Sequence, residues 1–257
     1  MDYPKWMLDA IRCPETKEPL QIKEDHLLRA DGLEYPIIDG IPSLVFPPEL
    51  VGQDKKLNRF YDLFAPLYDL SERFFGRLIT GIDIREGRKE IVSHLGLRSG
   101  MTVLEVSPGP GVFQQHIWDK ITPNGELVAL DLSLGMLRQC RKKQGRLGTH
   151  LIQGNGAYLP FMDGSFDALF HFGGLNLFNE PEKALSEFVR VVRDGGIVSW
   201  GDEGFAPSVP EGWKKRLLTR VNPGFLKPIP TVPDGTTDVA EYEVYGGFAY
   251  LEVAIKG

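Results

Sequence analysis

Two carboxylates and a pair of glycines carry the clearest chemistry in this chain. Glu105 lies near the end of an apolar, β-branched run, Met101–Val106, and Ser107-Pro108-Gly109-Pro110-Gly111 follows at once. Asp131 closes a second apolar run, Leu127–Leu130, about twenty residues beyond the glycines. A strand that runs into a glycine turn and then a helix is the unit with which α/β proteins hold nucleotides. Glycine lets a ligand approach the backbone, and the helix N-terminus offers unpaired N–H groups. A carboxylate at the end of the next strand is placed to accept both hydroxyls of a ribose. The loop does not follow the dinucleotide pattern G-x-G-x-x-G, because Val112, Phe113, Gln114 and Gln115 come after Gly111. An acid at position 105 repels a pyrophosphate and suits a cationic ligand.

The elements that must position these groups follow from periodicity. Val112–Trp118 has helical spacing, and Ser133 can cap a helix on which Leu134, Leu137, Cys140 and Leu147 share a face, making Cys140 a core residue. His150–Gln153, Phe166–Phe172 and Ile197–Trp200 read as further strands, and Glu182–Val192 as an amphipathic helix stopped by Gly195-Gly196. Trp213–Val221 is helical, and Val239–Tyr245 with Phe248–Ile255 alternate as a hairpin around Gly246-Gly247. In an open parallel sheet ligands meet the carboxyl ends of strands, which is where His171, Asn176, Asp202 and Glu203 fall.

With these residues in view, the sequence resembles the class I S-adenosylmethionine-dependent methyltransferases. Glu105 stands at the acid of their first motif, Gly109 and Gly111 at its second and third glycines, and Ser107 replaces the first. Gly154-Asn-Gly-Ala-Tyr-Leu-Pro-Phe-Met-Asp-Gly-Ser-Phe-Asp167 is similar to their more specific segment G-D-A-x-x-L-P-F-x-D-x-S-F-D, with Asn155 in place of the acid that binds the adenine amino group. The amide oxygen of Asn155 is expected to accept the same bond. The resemblance implies an α/β, Rossmann-like, seven-stranded sheet whose last strand is antiparallel, and S-adenosylmethionine as cofactor. It puts Glu105 and the Ser107, Gly109 and Gly111 loop near the amino-acid part of the cofactor. Asp131, with Leu132 and Met136 beyond it, falls on the ribose side, and Asn155, Gly156 and Ala157 on adenine. His171 is the expected general base, with Tyr68, Asp202 and Glu203 as its rivals, and Tyr61, Asn176, Asp202 and Glu203 are the expected acceptor residues.

Residues 1–48 read as a separate small module, 49–96 as a helical lid and 97–257 as the main domain. The order Leu8-x-x-Ile11-x-Cys13-Pro14, then Gly32-Leu33-x-Tyr35-Pro36-Ile37-x-Asp39-Gly40-Ile41-Pro42, resembles the zinc-ribbon family that contains the activator subunit of several methyltransferases. Thr16 occupies the second ligand position of its Cys-x-x-Cys pair and Arg29–Gly32 supplies no cysteine, so a ribbon without its metal is expected, packed on the larger domain. The segment Tyr61–Asp69 resembles one that precedes the fold in the ubiquinone and menaquinone C-methyltransferases, where tyrosines lie over the cofactor.

Composition sets outer limits. The 257 residues are 42% hydrophobic and 25% charged, ordinary values for a folded soluble protein. No apolar run reaches the roughly 20 residues of a membrane span, and charges interrupt Met1–Pro14, so a cytoplasmic location is the default expectation. A net charge of −6 gives no broad attraction for nucleic acid, which favours a small-molecule acceptor. Two readings from other classes stay open: an RNA methyltransferase, suggested by the ribbon, and a non-catalytic cofactor-binding scaffold, allowed by Ser107 and Asn155.

Overall fold

The parallel sheet assembles from the apolar runs picked out by their β-branched content. The computed structural model describes residues 3–64, 83–144, 147–206, 209, 211–221, 223–226 and 232–257. Strands β5 (Thr102–Val106), β6 (Glu126–Asp131), β7 (His150–Gly154), β8 (Phe166–Phe172) and β9 (Val192–Glu203) lie parallel in the order β7-β6-β5-β8-β9. β10 (Thr236–Val244) and β11 (Ala249–Lys256) form the closing hairpin, with β11 antiparallel between β9 and β10. Chain order runs outward on one side of β5 and restarts on its other side at β8. That reversal opens a crevice at the strands' carboxyl ends.

The expected seven strands are there, but they belong to a sheet of eleven. β1 (Gln21–Ile22), β2 (His26–Leu28), β3 (Glu34–Ile38) and β4 (Ile41–Leu44) form an antiparallel meander. β4 then pairs parallel with β7 through Ser43 with Gln153 and Leu44 with Gly154. An uncovered β7 would present a row of unpaired backbone groups, and β4 removes that edge while burying Ile41 and Leu44 completely. Helix α1 (Lys5–Ala10) adds Met7 to the same core. At the seam the Arg12 N–H donates to the Pro160 carbonyl at 2.9 Å and the Met162 N–H to the Ala10 carbonyl at 2.8 Å. Glu187 there pairs with Lys17 at 2.8 Å and with Arg190 at 2.6 Å.

Beside the meander the buried Cys13 sulfur lies 3.1 Å from the Tyr35 hydroxyl, and receives the Thr16 N–H and Arg29 Nη1 at 3.5 and 3.4 Å. Burial opposes ionisation of this thiol, yet these hydrogen bonds outweigh it and bring its pKa down to about 7.

Helices cover both faces. On one face α3 (Ile84–His94) and α4 (Gln114–Ile121) set Ile91 and Ile117 in one cluster with Val103, Leu127 and Phe170 of the sheet. On the other face α6 (Pro181–Val191) packs Leu185 and Phe188 against Leu104, Val106, Leu169 and Trp200. α6 starts at a proline and repeats Ala184, Leu185, Phe188 and Val189 along one side, the pattern of a helix with one buried stripe. α5 (Leu134–Gln144) seats Leu137 and Cys140 on Ala129, Leu151 and Ile41, so Cys140 is a core residue as its spacing implied. α2 (Gly52–Phe64) precedes this body and α7 (Trp213–Val221) lies between β9 and β10.

Because β4 belongs to both the meander and the main sheet, Leu44→Ala is expected to cost about 2–4 kcal/mol. Denaturation followed by tryptophan fluorescence and by far-ultraviolet circular dichroism should remain one coincident transition. Two separate transitions, with the meander melting first, would contradict the shared core.

Candidate active site

The crevice at the ends of β5, β6 and β8 holds a cavity of about 420 Å³, a size suited to small-molecule ligands. Its organising group is Asp131. One carboxylate oxygen accepts the Gly109 N–H at 3.0 Å and the other accepts the Ser133 N–H at 2.9 Å. The loop after β5 and the loop after β6 are thereby held by a single side chain. Ser133 caps α5 by accepting the Met136 N–H at 3.1 Å and donates its hydroxyl to Asp62 of α2 at 2.6 Å. Asp62 also accepts the Gly135 N–H at 2.8 Å, which fastens α2 to the first turn of α5. At its other end α2 is held by Asn179, which accepts the Gln53 N–H at 2.9 Å and donates to the Val51 carbonyl at 2.8 Å.

The glycine loop turns through left-handed backbone at Ser107, Gly109 and Gly111, with φ of 56°, 55° and 79°. Ser107 is held there by donating its N–H to the Leu130 carbonyl at 2.7 Å. A serine in this region bears strain that glycine would not, about 1–2 kcal/mol. Gly111 serves packing, since a Cβ there would sit 2.8 Å from the Cys140 sulfur, whereas Gly109 faces open space.

Two acids are buried beside this loop. Burial is the main reason the Glu105 pKa rises to about 8; the Gln114 side chain offsets part of the rise and the charge of Asp131 adds to it. Its Oε2 has no hydrogen-bond partner among the described residues. Burial likewise lifts Asp131 to about 7, against the Ser133 and Gly109 N–H groups that favour its anion. Both acids are therefore set to ionise when a positive ligand arrives.

Ser107, Gly109, Asp131, Leu132, Met136 and Glu203 lie on the cavity wall. Glu105 is buried behind it. Asn155, Gly156 and Ala157 are also buried and do not reach the wall, which corrects the expectation for Asn155. The Asn155 oxygen accepts the Ala157 N–H at 3.0 Å and its amide nitrogen faces Asp54 of α2 at 3.4 Å. A side chain on Gly156 would strike the Phe178 ring at 2.7 Å. The acid on the wall in this corner is Asp54, whose pKa burial raises.

The expected base is also displaced. His171 is fully buried, and its Nδ1 bonds the Val106 carbonyl at 3.0 Å while the ring packs on Phe178 and Phe188. Burial lowers its pKa despite the charge of Asp202, so the ring is neutral. Strand alternation explains this: Phe172 points to the cavity, and His171 points to the α6 face. Asp202, expected to meet an acceptor, instead accepts the Gly174, Asn176 and Glu203 N–H groups at 2.9, 2.7 and 2.8 Å and shapes the loop after β8. Asn176 enters that loop through its backbone and is not on the wall. Tyr61 lies on α2 but its side chain is outside the described residues, as is Tyr68 altogether.

The sequence reading missed the aromatic end of the cavity. Phe113 lies 5.5 Å from Phe172, Phe172 lies 5.9 Å from Tyr245, and Phe225 and Phe248 complete that wall. Arg88 of α3 reaches it with its guanidinium 6.0 Å from the Phe113 ring centre. Arg88 and Asp54 precede the glycine loop in sequence and carry no local motif.

Comparison with known proteins agrees with this geometry. Residues 104–199 match the family model described as a methyltransferase domain. A demethylmenaquinone methyltransferase of Renibacterium salmoninarum is 37% identical over 136 residues, 53% of this chain and 54% of that protein. Its counterpart in Paenarthrobacter aurescens is 30% identical over 184 residues, 70% of this chain and 68% of that protein. The chain belongs to the class I S-adenosylmethionine-dependent methyltransferases. Among solved structures, Haemonchus contortus phosphoethanolamine N-methyltransferase 2 in complex with S-adenosyl-L-methionine shares the fold of this methyltransferase. It does so with a TM-score of 0.59 at 15% identity, over 84% of this chain and 61% of that one. The complex between the Haloferax volcanii Trm112 methyltransferase activator and a methyltransferase gives 0.55 at 17% identity, over 76% of this chain and 97% of that one.

The methyltransferase's cofactor is S-adenosylmethionine, and the residues present fit it. Asp131 would offer ribose a carboxylate on the wall, and Glu105, buried behind it with an unpartnered oxygen, would take on its charge toward a cation. The raised acids set a pH dependence. From the ordinary carboxylate range up to about pH 7–8 the folded protein holds protons that the unfolded chain has released, so free-protein stability falls as pH rises through that window. A cation favours the ionised acids, so cofactor affinity should climb between about pH 6 and 9 and binding at pH 7 should release about one proton. Calorimetry in buffers of different ionisation enthalpy reads this directly, and proton-neutral binding would contradict it.

Proposed function

We propose that this methyltransferase methylates a planar, apolar, hydroxylated ring acceptor of the demethylmenaquinone class. The make-up of the cavity wall carries the reading: acids and the glycine loop stand together with Phe113, Phe172, Tyr245 and Arg88. The names of the two relatives support the same class, although the chain spans 54% and 68% of their lengths.

S-adenosylmethionine supplies an electrophilic methyl group on a sulfonium. The protein's contribution is to bind, orient and exclude water. The aromatic walls stack a flat ring and desolvate it. The Arg88 guanidinium stabilises a ring oxygen as its anion, which raises electron density at the neighbouring ring carbon. Glu203, on the wall, takes the proton that the acceptor gives up.

The test is transfer of labelled methyl from S-adenosylmethionine to a reduced demethylmenaquinone analogue with a short side chain. Labelled ring product is expected, with Arg88→Met lowering kcat/KM by about 10²-fold while cofactor affinity holds. Asp131→Ala should instead weaken cofactor binding by at least about tenfold, since hydrogen bonds to a charged group are worth roughly 1.5–3 kcal/mol. Absence of ring product, or an Arg88→Met protein as active as wild type, would overturn the reading.

A further inference from the structure

Helix α7 presents an unusual face. Trp213, Arg216, Leu217 and Arg220 stand at i, i+3, i+4 and i+7, which places them in one stripe, and all four are exposed. Trp213 is 64% exposed and Leu217 42%, and Leu226 in the turn after the helix is 64% exposed. Trp213–Val221 carries Lys214, Lys215, Arg216 and Arg220 with no acid, in a protein whose net charge is −6. The inner side of the helix is joined to the cavity. Lys215 Nζ lies 5.3 Å from the centre of the Phe205 ring, and Phe205 stacks on Phe225 at 4.8 Å. Phe225 is part of the cavity wall.

We infer that α7 is an interfacial anchor that sets the aromatic end of the cavity against an anionic lipid surface. A tryptophan and a leucine on one stripe, with Leu226 in the following turn, suit the boundary between headgroups and acyl chains, and the arginines on that stripe meet lipid phosphates. Among the described residues no helix is long and apolar enough to cross a membrane, so the contact is with the surface. A second copy of this chain is a poorer occupant, because stacking the stripe on itself brings Arg216 and Arg220 against like charges. The proposal rests on the ring-acceptor reading only for its purpose, since a lipophilic acceptor resides in such a surface.

The experiment is co-sedimentation of the full chain with phosphatidylcholine vesicles and with vesicles that also contain phosphatidylglycerol, alongside tryptophan emission. Trp213 is exposed whereas Trp200 is buried and Trp6 and Trp118 are partly buried, so an emission shift to the blue on binding should vanish in Trp213→Phe. Binding is expected on the anionic vesicles, weakening with salt. The double variant Arg216→Glu/Arg220→Glu should partition about tenfold more weakly or worse, with cofactor affinity and transfer to the short-chain acceptor unchanged. No binding, equal binding to both vesicles, or wild-type partitioning of the double variant would overturn the anchor, as would self-association through this stripe in solution. Docking without any ring methylation would leave the anchor standing and fault the acceptor reading. Methylation without docking would do the reverse.

Discussion

A single buried carboxylate fixes the working end of this protein. Asp131 ends β6, yet it spends its hydrogen-bonding capacity on two backbone N–H groups in two different loops. Through Gly109 it sets the turn after β5, and through Ser133 it sets the start of α5. Asp62 extends the chain of bonds to α2, so the glycine loop, the start of α5 and α2 are registered to one another. Each carboxylate oxygen retains a second acceptor position, which lets the same group scaffold the loops and still receive a ligand.

That arrangement stores electrostatic tension. Two acids share a buried corner; the charge of Asp131 raises the cost of ionising Glu105, that of Asp62 raises the cost of ionising Asp131, and backbone dipoles only partly answer Asp131. The corner is thus better matched to a cation than to water, and charge on the ligand completes it. The aromatic part of the cavity has the contrary character: Phe113 and Phe172 meet at a tilt, Phe172 and Tyr245 meet edge to face, and a guanidinium lies over Phe113. One cavity therefore offers two unlike environments.

Much of this was legible from the chain. Strand β5, its glycine loop and Asp131 announced themselves because turn chemistry and terminal acids sit in contiguous sequence. The closing hairpin was legible for the same reason. β4 was hidden by Pro42, which lacks the N–H expected of a ladder residue and is tolerated because the parallel pairing begins only at Ser43. His171 was misjudged since β8 is a central strand covered on both faces, so its near-uniform apolar content gives no alternation to show which way a side chain points. Asp202 looked functional by position, and only the three N–H groups converging on it reveal a loop staple. Asp54 and Arg88 reach the cavity from helices that precede the fold, a tertiary fact with no local signature.

The account stands on Asp131 as the nucleoside anchor within a cavity that α2 helps to wall. A crystal structure with S-adenosylhomocysteine tests it. Both ribose hydroxyls should lie within hydrogen-bonding distance of the Asp131 carboxylate, with α2 still bonded to α5 through Asp62. A nucleoside seated among Phe225, Tyr245 and Phe248, with Asp131 left to its two loops, would contradict it.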